Sequence, residues 1–373
     1  MAASASDSRR TAAKSDRFAT LDLLRLVAAL AVIGFHYLYR GAAGDSYLDT
    51  AYPEAAPVAI YGYLGVHLFF LISGFVIAWS ADGRDWQSFA IARFARIYPG
   101  FLACMAITFA VLWVVADPRL PASPEQFAAN LIILSPALGQ PFMDGVYWSI
   151  VLELVFYGWV ALALVLGVFD RWKIALVAGW LALSVLNEFF VGSGAMRMLF
   201  ITEYAPWFAS GILLQHVWKH GRSAETLLLL AASFLLSCNM LLPGREWMLV
   251  HYGEAIALPN LLAANVALFA VAILAIRFHR TVPATPMVLA LGGMTYPLYL
   301  LHQHIGYAAI NAVAPDLGRW PAVALVTMGM LALSWAVWRF VETPARPALV
   351  AMLATASTRA RRAFARGTRA TAH

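Results

Sequence analysis

The sequence predicts an all-α polytopic membrane protein, a bundle of about ten transmembrane helices with both termini in the cytoplasm. Three observations lead there. Of 373 residues, 62% are hydrophobic and 12% charged, against roughly 25% charged in an ordinary soluble domain. Apolar runs of about 18 residues or more recur from Leu21 to Val341, each able to cross roughly 30 Å of hydrocarbon. The basic residues sit in short loops and tails, not on one face, which speaks for membrane topology and against nucleic acid as a partner.

In chain order, helices are expected at 21–39, 60–80, 101–116, 146–168, 174–191, 200–217, 226–242, 255–276, 287–313 and 322–340. Pro206 and Pro259 interrupt the sixth and eighth runs. With the N-terminus inside, the inner loops and tails hold about 20 Lys and Arg, including Arg93, Arg96, Lys173 and Arg346. The outer loops hold Arg40, Arg119, Arg197, Arg245 and Arg319. This alternation is the positive-inside pattern of an inner-membrane, multi-pass chain.

The organisation expected is a disordered basic tail over 1–17, one transmembrane domain over 18–346 and a basic tail over 347–373, with disorder also expected after Ala348. The first apolar run is not read as a cleaved signal peptide ending at Ala42-Ala43-Gly44, because Arg25 interrupts it. The longest outer loop, 117–145, carries five prolines around a short amphipathic stretch, 126–134, expected to lie in the membrane interface. Cys104 and Cys238 fall within apolar runs and are read as packing residues, so neither a disulfide framework nor a metal site is implied.

Ionisable groups at membrane depth are site candidates, since each costs about 2.5 to 3.5 kcal/mol to insert. Arg25 and His36 in the first helix are 11 residues apart. That spacing puts them within about 20° of one face and roughly 16 Å apart along the axis. The alternative is a snorkelling arginine and an interfacial histidine. Glu153, His302, His304 and His67 are expected in the outer halves of their helices, either as a polar cavity able to hold a base or as a structural network. Arg93 and Arg96, three apart, form one basic edge that either grips phosphates or anchors the helix. Trp148 and Ser149 either belong to the aromatic belt or line the cavity mouth.

Several segments together resemble the acyltransferase-3 family of bacterial membrane O-acyltransferases. They are Leu21-Asp22-Leu23-Leu24-Arg25-Leu26 followed by Phe35-His36-Tyr37, Gly65 to Phe75, Arg93 to Pro99, Tyr147-Trp148-Ser149-Ile150-Val151-Leu152-Glu153, Tyr296-Pro297-Leu298-Tyr299-Leu300-Leu301-His302 and Val341-Glu342-Thr343-Pro344. The departures are His67 and Leu154, each where an acidic residue is common in the family. No hydrolase-like extracytoplasmic domain is expected after the membrane region, so delivery to the acceptor would fall to the membrane domain or to another protein.

The resemblance implies transfer of an acyl group, most often acetyl, from acyl-CoA to a hydroxyl of an envelope carbohydrate or glycolipid. Coenzyme A would be a substrate and not a bound cofactor. On this reading Arg93 and Arg96, with Ser73 and Tyr98, meet the donor. Arg25 orients it or polarises the thioester. His36 is the base, oriented by Glu153, with His302 as the rival base. Trp148, Ser149 and Tyr296 meet the acceptor. Direct transfer and an acyl-histidine route both remain open. The rival class is an exporter of polysaccharide or lipid-linked sugar, for which no paired halves with matching interrupted helices are visible. The acceptor, the acyl chain length and the oligomeric state are not written in the sequence.

Overall fold

A computed structural model describes residues 18–43 and 46–370, with side chains through Arg359. The basic tail expected over 1–17 lies outside the described residues, as does Gly44. Among the described residues there is helix and no strand. That follows from composition: in hydrocarbon each backbone N–H and C=O needs a partner within its own segment, which a helix supplies.

The helices are α1 Ala19–Arg40, α2 Ala56–Ala81, α3 Trp86–Val115, α4 Pro124–Asn130, α5 Tyr147–Val165, α6 Phe169–Val191, α7 Gly194–Phe200 and α8 Ala205–His220. They continue with α9 Ala224–Tyr252, α10 Leu258–Arg277, α11 Pro286–Gly293, α12 Thr295–Leu317, α13 Arg319–Val337 and α14 Thr343–Ala370. Eight spans among the described residues are long and apolar enough to cross a membrane, the last running from Arg319 to Arg359 through a π-turn at Trp338–Glu342.

Two of the ten expected crossings do not stand among these eight. The sixth is α8, whose 16 residues reach only about 24 Å. It starts beside Pro206 and stops at Gly221, whose φ of 86° ends the helical path. The ninth is broken into α11 and α12 at Met294, and α12, whose 23 residues are long enough to cross, is kept from counting as apolar by polar residues that include His302, Gln303, His304 and Asn311. At the break the Gly292-Gly293 pair meets Pro297, whose ring lacks an N–H and crowds the carbonyl four residues back.

The third expected helix begins 15 residues earlier than its proline suggests. Asp85 accepts the amides of Gln87 and Ser88, both at 3.1 Å, and caps a 30-residue helix that carries Pro99 inside it. Arg93 to Tyr98 is therefore helix, not loop. Disorder expected after Ala348 is also replaced by helix, through Ala370.

The helices fall into two compact units. The first comprises the described residues up to Phe75, with Glu203–Thr295 and Ile310–Ala324. The second comprises Val76–Thr202, Tyr296–Ala309 and the described residues from Leu325.

In the first unit, side chains join helices where apolar packing offers no hydrophobic gain against lipid. Trp207 donates to Asn265, Asn265 to Ser237, Ser210 to Ser233, and Ser233 to the Pro206 carbonyl, at 2.7 to 3.2 Å. The loop before α2 is tied to the start of α13. Arg319 donates to the Ala51 carbonyl at 3.2 Å and to Glu54 at 2.5 Å, and the Tyr52 hydroxyl donates to the Arg319 carbonyl at 3.0 Å.

A hydrogen bond from its own backbone amide, and then one from Arg319, hold the Glu54 carboxyl below the usual carboxylate range. A carboxyl depressed in this way strengthens the tie above the ordinary carboxylate pKa and releases it as pH falls through the lowered value. Arg319→Ala is expected to speed protease cleavage within 46–55 at neutral pH, and acidification should narrow the difference from the parent.

In the second unit, the chain after α3 turns back along it. Phe127 of α4 packs on Phe109, ring centroids 4.9 Å apart, and the Tyr98 hydroxyl donates to the Leu131 carbonyl at 3.1 Å. Tyr147, the first residue of α5, sits 5.0 Å from the ring of Phe101, midway along α3. The segment 126–134 therefore follows α3. Its irregular backbone is satisfied from within. Gln126 donates to Phe142 O, Asn130 to Gln126 O and Pro141 O, and Asn130 Oδ1 accepts the Met143 amide. Leu131, Ile132, Leu134 and Leu138 remain on the outside.

Candidate functional site

In the first unit, α1 carries both Arg25 and His36. Arg25 keeps 26% of its side chain exposed and donates from Nη1 to Asp22 Oδ1, one turn earlier, at 3.2 Å. Its charge is thus partly balanced, and it does not stand alone in lipid. His36 is 5% exposed and opens a π-turn that runs to Arg40. Such widened turns interrupt the regular register and recur at functional positions.

Nδ1 of His36 lies 2.9 Å from the Val32 carbonyl. A carbonyl only accepts, so Nδ1 carries the proton and the neutral ring holds its basic lone pair on Nε2. Ser73 is buried in α2. His67 is packed among the rings of Tyr63, Tyr204 and Trp207 at 4.4 to 5.7 Å.

In the second unit, four helical segments bring ionisable groups together. Arg93 and Arg96 project from α3. Arg96 Nη1 is 2.5 Å from Glu342 Oε2, and its guanidinium lies 5.5 Å from the centre of the Tyr296 ring. Tyr296 in turn donates to the Ile97 carbonyl at 3.2 Å. Glu153, from α5, accepts a hydrogen bond from Tyr157 one turn on and lies within electrostatic range of both arginines. Sequence reasoning places Glu153 in the outer half of its helix. The seventh of α5's 19 residues, Glu153 lies in the first half of that helix, and because α5 starts level with the middle of α3 it also comes beside the arginine segment.

Tyr98 is turned away from this cluster, its ring stacked 4.8 Å from Phe94 and its hydroxyl taken by Leu131. The basic edge of α3 is a face of Arg93 and Arg96 without Tyr98.

A second polar group in the same unit surrounds the start of α5. Ser149 and Tyr299 share a hydrogen bond of 2.7 Å between their hydroxyls. His302, fully buried, has Nδ1 2.7 Å from the Tyr299 carbonyl, so it adopts the same tautomer as His36. Asp144, 0% exposed, accepts the Val146 amide on one oxygen at 3.1 Å and the His304 amide on the other at 2.9 Å. Trp148 is half-buried beside them.

Sequence reasoning assigns no role to Asp144 or Glu342. Asp144 lies just ahead of an expected helix and Glu342 just past the last one, so a search for charges inside apolar runs passes both by. The signal for Glu342 is its place directly after an apolar run and ahead of Pro344.

The sequence profile of a family described as an acyltransferase domain, acyltransferase-3, matches residues 18–339. The chain belongs to this family. Curated relatives agree along most of their lengths. An "Acyltransferase MdmB" of Streptomyces mycarofaciens is 27% identical over 353 residues, covering 85% of this chain and 86% of the relative. A "Nodulation protein 10" of Rhizobium leguminosarum bv. viciae is 26% identical over 369 residues, 88% and 94% of the two chains. An "Exopolysaccharide production protein ExoZ" of Rhizobium meliloti (strain 1021) is 24% identical over 292 residues, 76% and 89% of the two chains. No solved structure matches. The family match contains Arg25, His36, Arg93, Arg96, Asp144, Glu153 and His302, and it ends three residues before Glu342.

Proposed function

We propose that this member of the acyltransferase-3 family is an inner-membrane O-acyltransferase with ten crossings and both termini in the cytoplasm. It moves an acyl group, acetyl in the simplest case, from cytoplasmic acyl-CoA to a hydroxyl of an envelope carbohydrate or glycolipid. Family membership supports the acyl transfer, and a relative named for exopolysaccharide production supports the carbohydrate. The observation that carries the chemistry is the buried His36, whose Nδ1–H is committed to Val32 O and whose Nε2 is therefore the basic atom.

In the proposed reaction, His36 Nε2 takes the proton of the acceptor hydroxyl as its oxygen attacks the thioester carbonyl. The C–S bond breaks, and the coenzyme A thiolate recovers that proton from the imidazolium. A transient acyl-imidazole on His36 is the two-step version of the same transfer. Arg25, steadied by Asp22, stabilises the charge developing on the carbonyl oxygen. The α3 segment that carries Arg93 and Arg96 takes the donor's phosphates. Ser73 contacts the donor, and Trp148, Ser149 and Tyr296 contact the acceptor. His302 is the alternative base.

The test is NMR of purified surface glycans and glycolipids from a deletion strain. Loss of O-acyl signals with the amount of exported glycan unchanged is the expected result. Unchanged acylation with glycan retained inside the cell would replace this reading with an exporter.

A further inference from the structure

The two arginines of α3 do not stand in equivalent surroundings. Arg96 is ion-paired with Glu342, whose side chain is only 6% exposed. Arg93 makes no hydrogen bond or ion pair among the described residues, and its buried Nε has no partner. Its contact is the face of Phe89, 5.9 Å from the guanidinium carbon to the ring centre. Glu153 contributes field at Arg93, with Tyr157 hydrogen-bonded to it.

An anion that approaches Arg96 therefore meets a pair of no net charge, whereas one that approaches Arg93 meets a cation with unused donors. In surroundings of reduced dielectric that difference outweighs the shared chemistry of the two side chains.

The helix makes room for the pairing. Glu342 reaches α3 at Gly100, one turn beyond Arg96, where an added Cβ would stand 2.4 Å from Glu342 Oε1 and 3.0 Å from its Cδ. Any larger residue at position 100 displaces the carboxylate that neutralises Arg96. Glu342 Oε1 itself has no hydrogen-bond partner, so the carboxylate is held by its ion pair with Arg96, by the field of Arg346 and by the gap at Gly100.

We infer that Arg93 is the anion-binding arginine of this segment, and that Glu342, seated over Gly100, is a positioning residue that keeps Arg96 as a neutral pair and withholds its charge from the donor. The inference rests on the donor-phosphate reading above. It gives the two residues of one short motif different tasks: Arg93 selects a phosphorylated donor, and Arg96 fastens the Trp338–Glu342 turn to α3.

The experiment measures apparent KM in membranes for acetyl-CoA and for the phosphate-free donor S-acetyl-N-acetylcysteamine. Arg93→Gln should raise the KM for acetyl-CoA about tenfold and leave that for the phosphate-free donor within about twofold. Arg96→Gln/Glu342→Gln, which leaves no lone buried charge and so should fold where either single change is costly, should raise the KM for acetyl-CoA far less than Arg93→Gln does and by a factor similar to that for the phosphate-free donor.

The decisive variant is Arg93→Gln/Glu342→Gln. Freed from its carboxylate, Arg96 should take over and recover a large part of the lost affinity for acetyl-CoA. Gly100→Ala in the Arg93→Gln background should do the same by displacing the carboxylate. A purely structural Glu342 would make both double variants worse than Arg93→Gln, and that result would overturn the inference, as would an Arg96→Gln/Glu342→Gln enzyme with the donor-specific KM defect of Arg93→Gln. A KM for acetyl-CoA that ignores Arg93→Gln altogether would instead remove the donor-phosphate reading of the segment.

Discussion

Replacing His36 by alanine is expected to lower acyl transfer by about 10²- to 10⁴-fold, the usual contribution of a positioned general base, and by more if the imidazole carries the acyl group. The protein should still fold. The imidazole's bond to Val32 O is local, and that carbonyl keeps the backbone N–H of residue 36 as a donor after the side chain is gone. His302→Ala is the matched comparison. His302 shares the tautomer, with Nδ1 directed to Tyr299 O, but it is fully buried. Its removal leaves a cavity beside buried polar groups, so the expected loss is in yield and thermal stability and not in turnover per folded molecule. Acylation by each variant should be normalised to monodisperse protein from size-exclusion chromatography. Near-parental turnover in His36→Ala, with turnover lost in folded His302→Ala, would move the base to His302.

How much of this was legible in the residues depends on what the residues must do. Arg25 and His36 stand out because charge or polarity inside an apolar run is costly and so is rarely accidental. Their spacing on one helix needs no tertiary information. Glu153 was visible for the same reason, but its surroundings were not. Its depth follows from where α5 begins relative to α3, and that is fixed by the Asp117–Gly145 segment folding back along α3 to the level of Tyr98.

The start of α3 was obscured by Pro99, which argues against helix locally. The Asp85 cap and the packed surface of a 30-residue helix outweighed one missing N–H. The same reasoning applied to Pro297 gives the opposite result, because there the proline follows two glycines and the helix does break. Local signals of equal strength were decided by their neighbours. Glu342 shows a further limit. Its importance arises from a partner 246 positions earlier in the chain and from a side chain missing at Gly100, neither of which has a local signature.

The largest expected loss of stability comes from a crossing with no room for side chains. At Gly74 of α2 an added Cβ would lie 2.1 Å from the Phe208 carbonyl oxygen, and at Gly211 of α8 it would lie 2.1 Å from the Leu71 carbonyl oxygen and 2.6 Å from the Phe75 nitrogen. The obstructing atoms are backbone, so no change of rotamer relieves them, and the two helices must separate. Separation forfeits the close van der Waals contact on which association in lipid depends. Over-packing of this kind costs about 1 to 3 kcal/mol and occasionally more. Gly211→Ala is therefore expected to lower the Tm in detergent, and Gly211→Leu to leave little monodisperse protein. Gly179→Ala supplies the control: it lies within α6 with nothing inside 4 Å of the added Cβ, and helix propensity alone should make it neutral or stabilising by up to about 1 kcal/mol. If Gly211→Leu melted with Gly179→Ala, α2 and α8 would not be locked together at this crossing. The pattern expected is instead a loss confined to the glycines under backbone, with Ser73 and His67 displaced along with α2 and acylation falling in proportion to folded protein.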